Sequence, residues 1–202
     1  MPRPDLAPRK SPRQRRAAVT VEAILQAAAH ILEDQRLEGF NTNRVAARAG
    51  VSIGSLYQYF PSKDAILAAL IRQDWDAFAA ALAGVVEEAA PLPLRAGVEC
   101  LVAVAVAHQM ERPRLARILD DAEVRLPLKA ETIAVGQSIA GHVLTFLMRH
   151  ASEFEARPLE VAAGDVMAMV RGMVDAAGAT GDADGLAARA SRAVIGYLGP
   201  IP

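Results

Sequence analysis

Apolar residues recur at three- and four-residue intervals through almost the whole chain, and prolines and glycines cut that pattern into helix-length segments. No stretch alternates convincingly, as a half-buried strand would. Hydrophobic residues make up 52% of the chain and aromatic residues only 4%. Alanine is abundant, and it loses least on entering a helix. The expected fold class is therefore all-α.

The segments can be placed one by one. Val21, Ile24, Leu25, Ala28, Ile31 and Leu32 predict an amphipathic helix over about 20–34, with Gly39 marking its end. Short helices over about 43–49 and 53–59 flank Gly50, and Pro61 closes that unit. Ser62 is placed to cap a long helix carrying Ile66, Leu67, Leu70, Ile71, Trp75, Phe78, Leu82 and Val86, bounded by Gly84 and Pro91. Further helices are expected at about 93–110, 113–121, 128–150, 158–178 and 183–198. No internal repeat is visible.

Charge is divided along this chain. Residues 1–63 carry ten Lys+Arg against five Asp+Glu, net +5, whereas residues 64–202 carry twelve against eighteen, net −6. The basic end is the candidate for nucleic acid, and the acidic remainder would be repelled by phosphate. The single cysteine, Cys100, cannot form an internal disulfide or a cysteine-based zinc site, which fits a reducing compartment. No apolar segment follows the basic N-terminus, and the longest apolar run, residues 101–107, is too short to span a bilayer. A cytoplasmic protein without membrane association is expected.

Residues 41–63 fit a helix-turn-helix at each sterically restricted point. Ala46 is small where two helices cross, Gly50 suits the left-handed conformation of the turn, and Val45, Ala49, Val51 and Leu56 supply apolar contacts. Hydroxyls at Thr42 and Ser52 stand at helix N-termini, where free N–H groups attract phosphate, and Tyr57, Tyr59 and Lys63 add further polar reach. Thr42 and Ser52 also read simply as N-caps, a role compatible with phosphate contact. Of the other residues here, Gln58 could pair with adenine and Ile53 pack on a thymine methyl, or they could be a solvated polar residue and ordinary turn packing; Ser55 can bond almost any base and Gly54 allows only close backbone approach.

The run Ala-Gly-Val-Ser-x-Gly-Ser-Leu-Tyr-x-Tyr-Phe-x-Ser-Lys over residues 49–63 resembles the signature of TetR-family transcriptional regulators. The resemblance covers about residues 20–66. It implies an N-terminal three-helix helix-turn-helix domain, followed by a C-terminal helical bundle for ligand binding and dimerisation, with repression as the commonest role. On that motif Thr42, Ser52, Tyr57, Tyr59 and Lys63 would touch phosphates, and Ile53, Gly54, Ser55 and Gln58 would face the groove, with Asn43 and Arg44 as further contacts. The expected organisation is a flexible basic arm over 1–19, a DNA-binding domain over 20–66 and an effector-binding and dimerisation domain over 67–202. The arm's Arg13, Arg15 and Arg16, with Arg3, Arg9 and Lys10, could follow a DNA backbone or enter a minor groove, or serve only as a solubilising tail.

The second domain is read from periodicity alone. Val166, Val170, Met173 and Val174, with Val194, Ile195 and Leu198, mark two C-terminal helices as candidates for a four-helix homodimer interface, which would set two recognition helices on a pseudo-palindromic operator. These helices could instead simply cover the monomer core. Trp75, Phe78, Cys100, Val104, His108, Met110, Phe146, Met148, Met167 and Arg171 are the residues most able to line a pocket for a largely apolar small-molecule effector. No cofactor is implied. The four histidines lack metal-ligand spacing and no phosphate-cradling loop is visible, so an all-helical enzyme is the weaker alternative. A constitutive DNA-binding protein that senses nothing is the other.

Overall fold

The computed structural model describes residues 15–155 and 157–199. Nine helices and no strand element occur among them: α1 Arg15–Gly39, α2 Thr42–Arg48, α3 Ile53–Tyr59, α4 Lys63–Ala89, α5 Leu94–Glu111, α6 Pro113–Arg125, α7 Lys129–Arg149, α8 Leu159–Thr180 and α9 Leu186–Leu198. The fold is all-α. The described residues divide into two compact units, one holding those up to Asp74 with Arg114–Lys129, the other holding Trp75–Pro113 and those from Ala130 onward. The segment carrying α6 thus groups with the N-terminal unit, although its place in the chain suggested the second domain.

In the first unit, Ile24, Leu25, Ala28, Ile31 and Leu32 of α1 are buried together with Ala65, Ile66, Leu67, Leu70 and Ile71 of α4. Gln73 reaches back to donate to the Glu22 carboxylate at 3.4 Å. Helix α1 begins five residues earlier than periodicity predicted, because Arg15, Arg16, Ala17 and Ala18 are good helix formers by residue type although they carry no apolar stripe in the sequence. The expected arm is therefore helical from residue 15. Arg13 lies outside the described residues, as do the side chains of Arg15 and Arg16.

Near its other end α1 is interrupted. Arg36 sits at φ 55°, ψ −163°, a region that L side chains rarely adopt. The chain then turns through Gly39, where a Cβ would lie 2.3 Å from the Cβ of Gln35. Only glycine fits that corner. Ser62 caps α4 as expected, accepting the Ala65 N–H at 3.1 Å. The helix runs through Gly84 rather than stopping there, because Leu82, Val85, Val86 and Ala89 are all buried and their packing outweighs about 1 kcal/mol of helix propensity.

The second unit is organised around α5, which packs against both α8 and α9, while α8 and α9 pack against each other. Val98, Leu101 and Val102 join Phe146, Leu147, Val174, Val194 and Leu198 in one apolar cluster. Gly97 makes room for the Phe146 ring, whose edge would lie 2.5 Å from a Cβ at that position. The start of α5 has no side-chain cap of its own, since Pro93 precedes it. Glu153 supplies one from the α7–α8 connection. Its Oε2 accepts the Leu94 N–H at 2.8 Å and its Oε1 accepts from His150 Nδ1 at 2.6 Å. His150 is buried, with its ring 4.5 Å from that of Phe146. Its Nε2 has no hydrogen-bond partner among the described residues.

Two outcomes follow for stability. Gly97→Ala should lower unfolding free energy by about 1–3 kcal/mol, the usual cost of overpacking a filled core, as read by urea denaturation. The His150 hydrogen bond, and after it the Leu94 N–H, hold the Glu153 carboxyl below the ordinary glutamate value. Such a group stabilises the fold above the unfolded value of about 4.3 and loses that contribution as pH falls through the lower folded value. Glu153→Gln should therefore destabilise modestly at neutral pH, by under about 1 kcal/mol given its exposed carboxylate. The gap from the wild-type chain should close on acidification below pH ~4.

Candidate nucleic-acid interface

Helices α2 and α3 are seven residues each, and their positions come from packing and caps. Val45, Ala46, Leu56 and Phe60 are all at or below 3% exposure, so each short helix presses one face into the unit. Gly50 takes φ 67°, and this left-handed turn lets the Val51 N–H return to the Ala46 carbonyl at 3.0 Å. Ser52 caps α3 as expected. Its Oγ accepts the Ser55 N–H at 3.0 Å and shares a 2.8 Å hydrogen bond with the Ser55 hydroxyl.

The cap of α2 is Asn41, not Thr42. Asn41 Oδ1 accepts the Arg44 N–H at 3.0 Å, and Thr42 is already the first helical residue. Asparagine ranks among the best N-caps, so this role was readable from residue type, but two polar residues in succession made the choice ambiguous. Freed from capping, the Thr42 hydroxyl shares a 3.1 Å hydrogen bond with that of Tyr57, which brings the start of α2 beside α3.

The other candidates are presented unevenly. Asn43, Ser52, Ile53, Gly54, Tyr57, Gln58 and Lys63 are exposed, whereas Ser55 and Tyr59 are half-buried. Ile53 is 38% exposed, unusual for isoleucine when Leu56 in the same helix is fully covered. Arg44 departs most from expectation. Its Nη1 donates inward, to Gln35 Oε1 at 2.7 Å and to the Gly39 carbonyl at 3.1 Å. One turn later, Arg48 pairs with Asp34 at 3.3 Å.

Beside this geometry stand two family matches. The family model described as bacterial regulatory proteins, tetR family, matches residues 24–70, and that of the tetracycline repressor-like C-terminal domain matches residues 93–198. The chain belongs to the TetR family. It is a DNA-binding transcriptional regulator, with a helix-turn-helix in its N-terminal unit.

Relatives agree. The HTH-type transcriptional regulator RutR of Escherichia coli strain K12 is 38% identical over 80 residues, 40% of this chain. That match spans only 38% of RutR, well under half the length of the curated relative. Among solved structures, SmeT, the repressor of the Stenotrophomonas maltophilia multidrug efflux pump SmeDEF, aligns with a TM-score of 0.66 at 21% identity, covering 89% of this chain and 91% of SmeT. The fatty acid degradation regulator FadR of Bacillus halodurans aligns at 0.70 and 19% identity, covering 88% of this chain and 98% of FadR. At such identities these likenesses concern the fold.

The second-unit residues of this TetR-family chain are sorted by burial. Val174, Val194, Ile195 and Leu198 lie in the chain's own core, as does Val170 at 9% exposure, because α5 covers the apolar faces of α8 and α9. Apolar periodicity marked these as dimer residues, but it cannot tell which neighbour buries a helix face. Val166 and Met173 are half-buried at the margin of that core. Among pocket candidates, Phe146 is core at 1% exposure and Met148 is 61% exposed. Arg171 is exposed too, its side chain 3.8 Å from Asp175 one turn along. Trp75, Phe78, Cys100, Val104, His108, Met110 and Met167 are half-buried, with the Phe78 and His108 rings 5.0 Å apart. No described helix is long and apolar enough to cross a membrane.

The Ser52 cap yields a direct test. Ser52→Ala removes the acceptor for the Ser55 N–H and should cost about 1 kcal/mol of stability in thermal or urea unfolding.

Proposed function

We propose that this regulator is a cytoplasmic repressor which binds a pseudo-palindromic operator as a homodimer and leaves it when a small, largely apolar molecule enters the second unit. The observation that carries the reading is the contrast within α3, where Leu56 is sealed while Ile53, Gly54, Tyr57 and Gln58 stay exposed on one short helix. On this reading Ile53, Gly54, Ser55 and Gln58 face bases, while Thr42, Asn43, Ser52, Tyr57, Tyr59 and Lys63 approach the backbone.

Support for a homodimer comes from the outward faces of α8 and α9. With their apolar faces buried on α5, they expose Val161, Gly164, Ala168, Gly172 and Ala176 on α8, and Ala188 and Gly196 on α9. Small residues let two helices approach closely, and no atom of the described residues lies within 4 Å of a Cβ built at Gly164, Gly172 or Gly196. The Tyr197 hydroxyl donates to Asp165, and Arg157 lies 4.6 Å from the Tyr197 ring centroid, which holds α8 and α9 together as one surface. The proposed interface thus shifts from the buried valines to this face, with Val166 and Met173 at its margin.

For effector binding the support is the half-buried group of Trp75, Phe78, Cys100, Val104, His108, Met110 and Met167, adaptable thioethers and rings at the core's edge. SmeT, similar in fold, has been solved as a triclosan complex. A thermal-shift screen of small apolar compounds, followed by titration of the protein–DNA complex, tests it. Ligands that stabilise the protein yet leave DNA affinity unchanged would point to a constitutive binder.

Two variants separate the contacts on DNA. Lys63→Ala should weaken binding about equally on a selected and a random duplex and lower the salt slope by roughly one unit. Gln58→Ala should cost about 1–3 kcal/mol on the selected duplex only, relaxing preference at one position per half-site. Competition binding at several salt concentrations reads both. For the dimer, Gly172→Lys places a long charged chain in open space on α8, so it should leave the helical circular dichroism intact and yield monomer in sedimentation. A persisting dimer would remove α8 from the interface.

A further inference from the structure

Arg44 is basic, exposed and on the first helix of a DNA-binding motif, the circumstances in which an arginine is ordinarily assigned to phosphate. Its hydrogen bonds run the other way. One guanidinium nitrogen, Nη1, donates to Gln35 Oε1 at 2.7 Å and to the Gly39 carbonyl at 3.1 Å. Its own backbone N–H is held by Asn41 at 3.0 Å, so both ends of the residue are tied to the α1–α2 corner.

That corner is where the backbone is least able to hold itself. Arg36 occupies a conformation strained for a non-glycine residue, and such conformations persist only when their surroundings over-determine them. Gly39 is packed so closely on Gln35 that no side chain fits. The two groups that Arg44 grips, the Gln35 side chain and the Gly39 carbonyl, stand on either side of Arg36. The grip therefore closes the strained turn and sets the direction in which α2 leaves α1. Arg48, paired with Asp34 one turn on, acts in the same sense from an exposed position where such a pair is worth little.

We infer that Arg44 is a positioning residue for DNA recognition: by clamping Gln35 and Gly39 across the kink at Arg36 it fixes the angle of α2, and so the presentation of α3, without itself contacting phosphate. The inference rests on the reading of α2 and α3 as the DNA reader. A small rotation of α3 misaligns base contacts, which need defined geometry, and scarcely alters the diffuse attraction of the backbone.

The experiment uses the full-length protein and a duplex selected by it from a randomised pool, with an unselected duplex as control, below the melting temperature of every variant. Arg44→Ala is expected to reduce the preference for the selected duplex on the order of tenfold, with the salt slope unchanged. Gln35→Ala, which leaves the backbone and all charges intact, should reproduce most of that loss. The double variant should be little worse than Arg44→Ala alone, as for two residues acting through one contact. Gln35→Ala also carries the test should Arg44→Ala fold poorly. A salt slope lowered by about one unit would place Arg44 on a phosphate and overturn the inference. It is equally overturned if melting temperatures fall while preference and slope both hold, since the clamp is then structural only. A wild-type chain that selects no duplex would instead sink the assignment of α2 and α3 as the reader, and this inference with it.

Discussion

Helices of seven residues do not persist alone in water, where fewer than about 12–15 residues are marginal even for favourable sequences. Everything the N-terminal unit presents on α2 and α3 therefore depends on contacts made from outside those helices. Val45, Ala46, Leu56 and Phe60 provide the packing. Asn41 and Ser52 satisfy N–H groups that the short helices cannot, and the Gly50 turn joins them through the Val51 N–H. Ile53, Gly54 and Gln58 can then stay exposed. The side chain of Arg44, though exposed, bends back to the α1–α2 corner beside Arg36, where it bonds Gln35 and the Gly39 carbonyl.

The second unit applies a related principle at larger scale. Helix α5 covers α8 and α9, and its own weak start is completed by Glu153 from a distant connection. Placing His150 beside that carboxylate secures one imidazole nitrogen and leaves the other buried without a partner among the described residues.

Much of this was legible in the chain. Helices α2, α3, α5, α8 and α9 lie within a few residues of where periodicity and Gly/Pro punctuation placed them, and Gly50 and Ser52 adopt the roles their residue types favour. The misses share one physical origin, that sequence shows which face is apolar but not what covers it. Val194 and Leu198 have the spacing of an interface and are buried at home, and Phe146 has the look of a pocket residue and fills the space left by Gly97. Arg171, set among methionines in the chain, points to solvent because the helix turns it away. The clamp on Gln35 joins positions nine residues apart across a kink, and no local pattern announces such a pair.

The exposed glycines of the last two helices have a thermodynamic meaning of their own. Gly164, Gly172 and Gly196 lie inside helices, where each is about 1 kcal/mol less favourable than alanine, and no packing among the described residues requires them. An isolated chain carries that deficit uncompensated. On the proposed dimer, close approach of a second α8–α9 surface returns it, so folding and association share one equilibrium. Were the chain to associate through that surface, mass action would govern heat resistance: the unfolding midpoint would rise with protein concentration, and dilution alone would weaken the fold.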